Sequence, residues 1–132
     1  QLISGKFPMI PALSFPFVDV RDVAKLHLRA MITPEANGKR FIAAHTNPTW
    51  MYEIAEILYN AGYNKIKLKK APSFMLKLIG LIDNQTKSLV PMLDKFVPTD
   101  NSQTVEILKW KPMPLEQAFI EHAKSITEIK NS

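Results

Sequence analysis

FVDVRDVAKLHLRAM, residues Phe17 to Met31, decides how this 132-residue chain is read. Two aspartates, an arginine and a histidine stand close together in it, enough polar chemistry for either a reactive centre or a scaffold. Phe17 to Val20 alternates apolar and polar, the pattern of a short strand entering a helix. Asp22 then precedes an apolar-periodic run. A carboxylate there can accept amide hydrogens of a first helical turn and face its positive end. The expected helix covers Val23 to Ile32, with Val23, Ala24, Leu26, Ala30 and Met31 towards one side. A metal site needs more ligands than the two carboxylates Asp19 and Asp22 provide. The stretch therefore reads as scaffold: Asp22 as cap, Asp19 and Arg21 as a local ion pair bracing the strand-to-helix turn.

Upstream, residues 1–16 carry three prolines and a glycine and read as loop. Downstream, Pro34 and Gly38 punctuate TPEANGK, and RFIAA, residues 40–44, reads as a short buried strand. In HTNPTWMYEIAEILYNAGY, Thr46 or Asn47 can cap, Pro48 suits a first helical position and Gly62 a left-handed end. Met51, Ile54, Ala55 and Leu58 form its apolar stripe. NKIKLKK alternates Ile66 and Leu68 with lysines, as a strand with one wet face does. SFMLKLIGLID, from Ser73, reads as a strongly apolar helix. Pro91 and Pro98 interrupt any pattern in residues 84–100. A short helix is expected over Ser102 to Leu108 and a last one from about Pro114. Leu115, Ala118, Phe119, His122, Ala123, Ile126 and Ile129 share a face of that last helix. Short strands are too few here for a complete doubly wound sheet, so the pattern suggests a partial unit.

Hydrophobic residues make up 46% of the chain, which is globular composition. The absence of cysteine excludes disulfides, thiolate metal sites and a cysteine nucleophile, and it fits a reducing, cytoplasmic setting. No apolar run is long enough to span a bilayer, and no membrane partner is expected. The opening at Gln1, without a basic-then-apolar leader, leads us to expect further polypeptide upstream. Net charge is +5, but the positive residues are spread out. Their densest group, Lys65, Lys67, Lys69 and Lys70, reads as the solvated face of a strand, with no nucleic-acid signature beside it.

His27, His45 and His122 are not spaced as metal ligands, and no serine stands in a nucleophile elbow. His122 reads as a half-buried packing residue. His45 ends an expected strand, where side chains often face a pocket. The glycines at 5, 38, 62 and 80 make neither G-x-G-x-x-G nor a P-loop, so no dinucleotide site is expected within the chain.

FVDVRDVAKLHLRAM followed by TPEANGKRFIAA resembles the extended short-chain dehydrogenase/reductases of the epimerase/dehydratase superfamily. The dihydroflavonol-4-reductase-like branch is the nearest likeness. HTNPTWMYEIAEIL, KKAPSFMLKLIGLI and the ending PTDNSQTVEILKWKPMPLEQAFIEHAKSI continue it, with Asp100, Asn101, Ser102, Trp110 and Pro112 at the family's turn positions. Lys109 stands where the family commonly has glycine. The resemblance implies an α/β fold: the C-terminal part of a Rossmann-type extended reductase, mainly helices with two to four short strands. Residues 1–45 would join the missing N-terminal Rossmann domain, and residues 46–132 would form a mostly helical substrate lobe. It also implies an NAD(P) cofactor and a catalytic tyrosine-x-x-x-lysine, both carried by the missing part. Tyr63 and Lys67 have that spacing but lead into a strand. No catalytic or cofactor-binding residue is therefore expected in this chain.

Phe15 stands where nucleotide-sugar relatives often carry an arginine, and a phenyl ring suits an apolar substrate better. Met9, Ile10, Leu13, Phe15, Phe17 and His45 are the expected pocket residues. The implied function is the substrate-binding part of a reductase of small, apolar aldehydes or ketones. A nucleotide-sugar epimerase or dehydratase, or a non-catalytic NAD(P)-sensing relative, is the alternative. Without the Rossmann domain, Val23, Leu26, Ala30, Phe41 and Ile42 would be uncovered, and the chain is expected to self-associate.

Overall fold

A computed structural model describes residues 2–81 and 83–131. Six α-helices and one two-stranded sheet make up the described elements: β1 (Ser14–Phe15), α1 (Val20–Ile32), β2 (Thr49–Trp50), α2 (Met51–Asn60), α3 (Ser73–Ile79), α4 (Asn84–Leu89), α5 (Ser102–Leu108) and α6 (Leu115–Asn131). Single 3-10 turns lie at Pro34–Ala36 and Val90–Met92. The balance is that of an α/β unit dominated by helices, as the sequence implies.

The helices follow their apolar stripes. Ile54, Ala55 and Leu58 of α2 are buried and meet Ala123 of α6, with Ile10 and Ile66 completing the core between them. A second cluster joins Leu26 of α1 to Ala36, Leu108 and Trp110, with Ala30 and Phe41 packed against it. Gly62 takes the left-handed conformation beyond α2, φ +101°, as expected. The helix α5 matches its expected bounds.

Several local expectations are corrected. Helix α1 begins at Val20, and its N-cap is Asp19, not Asp22. Asp19 has extended backbone angles, and its carboxylate accepts from the Arg21 amide at 2.8 Å. Asp22 already lies within the first turn. Residues 17–19 are not a strand; the strand is Ser14–Phe15, paired antiparallel with Thr49–Trp50. That pairing delays α2, which starts at Met51 with Trp50 as its cap rather than at Pro48. The Trp50 amide donates to the Glu53 carboxylate at 2.9 Å.

Residues 40–44 form no ladder. Side chains hold their carbonyls instead: Thr104 Oγ1 donates to Ile42 at 2.8 Å and Asn101 Nδ2 to Ala44 at 2.7 Å. Thr104 is fully buried, which makes this contact part of the core. NKIKLKK keeps its alternation, with Ile66 buried and the lysines exposed, but pairs only through the Ile10–Lys70 bridge. Helix α3 stops at Ile79 because Gly80, pressed against Val90, ends it. Ile82 of the expected longer helix lies outside the described residues. Ile129 and His122 are exposed rather than part of the packed face of α6.

The expected uncovered set is also corrected. Leu26 is buried, whereas Val20, Leu28, Met31 and Ile32 are 65–82% exposed, on the opposite side of α1. Of the expected set, Ile42 is exposed.

Candidate functional site

The amino-terminal segment, the start of α1, and helices α2 and α6 enclose an apolar cleft of about 510 Å³. That volume falls within the range of small-molecule pockets. Leu2, Phe17, Met51, Leu115, Phe119 and Ile126 line it, and Ile54 and Leu58 form its floor. The aromatic wall is a chain of edge-to-face contacts. Phe15 meets Phe17 at 6.2 Å between centroids, and Phe17 meets Phe119 at 5.2 Å. Such packing fixes ring positions and leaves an apolar surface facing inward.

The polar residues that line this cleft are Asp19 and His122. Arg21 is held by Asp19 through two contacts of 2.8 Å and reaches Glu121 of α6 at 2.6 Å. The Arg21 hydrogen bond lowers the Asp19 carboxyl to about 2. Glu121 is lowered too, first by a hydrogen bond from Gln117 and then by Arg21. These groups are ionised and mutually satisfied, so they brace α1 against α6 and offer no proton for chemistry near neutral pH. His122 also lines the cleft and has no hydrogen-bond partner among the described residues. The arrangement can bind an apolar molecule with one hydrogen-bonding group. Among the described residues that line it, no nucleophile is paired with a base.

The expected pocket residues do not converge on one cavity. Phe17 lines the cleft, with Phe15 behind it. Met9 and Leu13 line a separate apolar cavity of about 250 Å³ beside α3 and α4. Ile10 is 2% exposed and belongs to the core. His45 lies along an open groove with Thr46, Asn47 and Phe96. Its ring Nε2–H donates to the Met113 carbonyl at 3.0 Å, and its edge meets Trp110.

Met113 is the residue that sequence reasoning missed. Asp22, only 3% exposed, accepts the Met113 amide at 2.7 Å. Arg21 Nη2 approaches the Met113 sulfur at 3.1 Å. The Arg21, Asp22 and His45 side chains thus clamp one turn between α5 and α6. The KPMP spacing signals a turn, but nothing local in it names these partners.

Among the described residues, the glycines form no glycine-rich helix entry of the kind that seats a pyrophosphate. A pyrophosphate seat needs free amides at a glycine-rich helix entry. At α1 the Arg21 amide is taken by Asp19, and Asp22 places a buried carboxylate in the first turn. Gly5, Gly38 and Gly62 lie in loops that enter no helix directly, and Gly80 sits at the end of α3.

No family model matches the chain. A ketoreductase, adrE, of Penicillium rubens is 36% identical over 72 residues, which is 54% of this chain and 21% of that protein. Among solved structures, Gre2 of Candida albicans in complex with NADPH superposes with a TM-score of 0.66 and 22% identity. That match covers 96% of this chain and 35% of Gre2. The yeast methylglyoxal/isovaleraldehyde reductase Gre2, complexed with NADPH, gives a TM-score of 0.67 at 22% identity over 99% of this chain and 39% of its own. The chain thus has the fold of one portion of these two Gre2 structures, whose larger part it does not cover.

Proposed function

We propose that this chain is the C-terminal, substrate-binding portion of an NAD(P)-dependent reductase of the extended short-chain dehydrogenase/reductase family. The observation that carries the reading is the superposition of nearly the whole chain on 35–39% of two Gre2 structures complexed with NADPH, one of them a methylglyoxal/isovaleraldehyde reductase. The ketoreductase likeness supports it from sequence. The cofactor and the groups that transfer hydride and proton belong, in this reading, to the part not covered here. No step of that chemistry runs through these residues. Their role is to bind, orient and keep water from a carbonyl compound.

The cleft between α2 and α6 suits a small apolar aldehyde or ketone. Its walls are mainly aliphatic and aromatic, and Asp19 in its lining is engaged by Arg21. A nucleotide-sugar would need a cation for its phosphates, and the residues lining the cleft include no lysine or arginine. The outer face of α1, with Val20, Leu28, Met31 and Ile32 in water, is the surface on which the cofactor domain would dock.

The test reads the encoding gene on the N-terminal side of Gln1 and assays the whole polypeptide. The expected result is a glycine-rich loop, a Tyr-x-x-x-Lys helix and NADPH or NADH oxidation with small aldehydes. An upstream sequence without these elements, or a whole protein inert toward carbonyl compounds, refutes the proposal.

A further inference from the structure

We infer that the cavity between the amino-terminal loop and helices α3 and α4 is a second binding site, which takes a small uncharged hydrocarbon ring or chain. This inference does not depend on the reductase reading.

The cavity, of about 250 Å³, has a fixed floor. Leu13, Ala71 and Leu93 line it and are only 4%, 6% and 6% exposed. Backbone bonds fasten the segments that carry them. The Ile10 amide donates to Lys69 at 2.7 Å, the Ala71 amide to Ile10 at 2.8 Å and the Asp94 amide to Ala12 at 2.9 Å. Asp94, held at φ +59°, also accepts the Ser73 hydroxyl at 2.7 Å. The entry to α3 and the segment after Leu93 are thereby pinned to the loop that carries Met9 and Leu13.

The facing wall is less settled. Met75 and Leu76 of α3 and Leu89 of α4 line it, yet α3 has no buried side chain. Atoms that border a void lack dispersion partners on that side. A ligand in the cavity supplies those partners to both walls at once. Met9 on the loop and Met75 on α3 flank the space, and a thioether adapts readily to the shape of an apolar guest.

The lining decides the ligand's chemistry. Apolar cavities of about 150 Å³ stay dry and bind benzene, because a buried water needs about two to four polar partners. Thr86 is the polar side chain in this lining. Its hydroxyl donates to the Asp83 carboxylate at 2.6 Å, and its amide reaches the same carboxylate at 2.7 Å. A charged or hydroxylated guest would therefore lose its hydration without recovering hydrogen bonds. The cleft between α2 and α6 differs on this point, since Asp19 and His122 belong to its lining.

The experiment is a toluene titration of the 132-residue chain carrying methyl-labelled methionine, followed by nuclear magnetic resonance. Met9 and Met75 report this cavity, Met51 reports the cleft between α2 and α6, and Met31, 82% exposed, is the surface control. The Met9 and Met75 methyl signals are expected to shift together and to saturate, while Met31 stays in place. Benzoate, a ring of similar size with a charge, should leave Met9 and Met75 unmoved. Leu89→Trp, at a lining position 41% exposed, should fill the space and remove the toluene shift while circular dichroism stays unchanged. Should that variant unfold, the parent decides through a nuclear Overhauser contact between toluene and the Met75 methyl. Three results overturn the inference. These are no saturable shift of Met9 and Met75 up to the solubility of toluene, a shift of Met51 without them, and equal shifts with benzoate.

Discussion

Asp22→Ala is the sharpest test of the scaffold reading. In the folded chain the Asp22 carboxylate is 3% exposed and accepts the Met113 amide at 2.7 Å. Truncation removes a charge-assisted hydrogen bond and leaves the Met113 N–H without its acceptor, at a cost of about 1–3 kcal/mol. It also removes a negative charge from the first turn of α1, a further 0.3–1 kcal/mol or so. The expected loss is therefore about 1–4 kcal/mol. Asp19→Ala, the true cap, should cost about 1 kcal/mol. Urea unfolding at neutral pH measures both. With a slope of roughly 1–3 kcal/mol per molar, the Asp22 variant should shift its midpoint by about 0.4 M or more. Amide exchange adds an independent reading, because Met113 should lose protection in the Asp22 variant and keep it in the Asp19 variant. If Asp22→Ala proves cheaper than Asp19→Ala, or leaves Met113 protected, the clamp does not exist as described.

The Asp19 carboxyl lies at about 2 rather than its ordinary 3.8, so its stabilisation is present above 3.8 and is lost as pH falls towards 2. Acid titration by circular dichroism should show this transition in the parent and a smaller one in Arg21→Ala. Gly5→Ala should destabilise by more than about 1 kcal/mol, since its φ is +69° and the new Cβ would lie 2.3 Å from the Lys65 carbonyl oxygen. Gly38→Ala shares that φ but meets open space, so thermal melts should rank it as the milder change. Thr104→Val keeps the shape of a fully buried side chain and deletes its bond to the Ile42 carbonyl, which should cost about 1–2 kcal/mol in urea. Calorimetric titration of the chain with NADPH should show no micromolar binding; such binding would contradict the poor fit of a pyrophosphate to the residues at α1.

The helices were legible because their signal is local. The Met51, Ile54, Ala55 and Leu58 stripe finds its partner in α6 without any knowledge of α6. The extended segments were not, because their fate depends on distant groups. Residues 40–44 have the composition of a strand, yet Thr104 and Asn101, about 60 positions away, take the Ile42 and Ala44 carbonyls. The cap of α1 failed by one register choice. The sequence reading takes Asp22 as the cap, whereas Asp19 caps the helix and Asp22 makes a contact that spans 91 residues to Met113. The apolar chemistry of Phe15 and Phe17 was visible, but the cleft they help wall is completed by Phe119 of α6, which no local pattern connects to them.

Four polar residues of the opening stretch, Asp19, Arg21, Asp22 and Arg29, serve contacts to the same distant part of the chain. Asp19 positions Arg21, and Arg21 reaches Glu121 and Met113. Asp22 takes the Met113 amide, and Arg29 donates to the Leu108 and Lys109 carbonyls where α5 ends with Lys109 at φ +49°. Those carbonyls are the unsatisfied end of a helix, and a guanidinium is suited to them in both charge and geometry. Helix α1 thus spends its charge fastening the α5–α6 connection, and that connection sets where α6 lies. Because α6 forms one wall of the cleft, the width of the cleft is controlled from α1, although of its helical residues only Val20 lines it. A centre made for catalysis would leave at least one of these groups unengaged and facing the cavity. Here Asp19, Arg21, Asp22 and Arg29 are all committed to structure, and the partnerless polar side chain in the cleft wall is His122, on α6 itself.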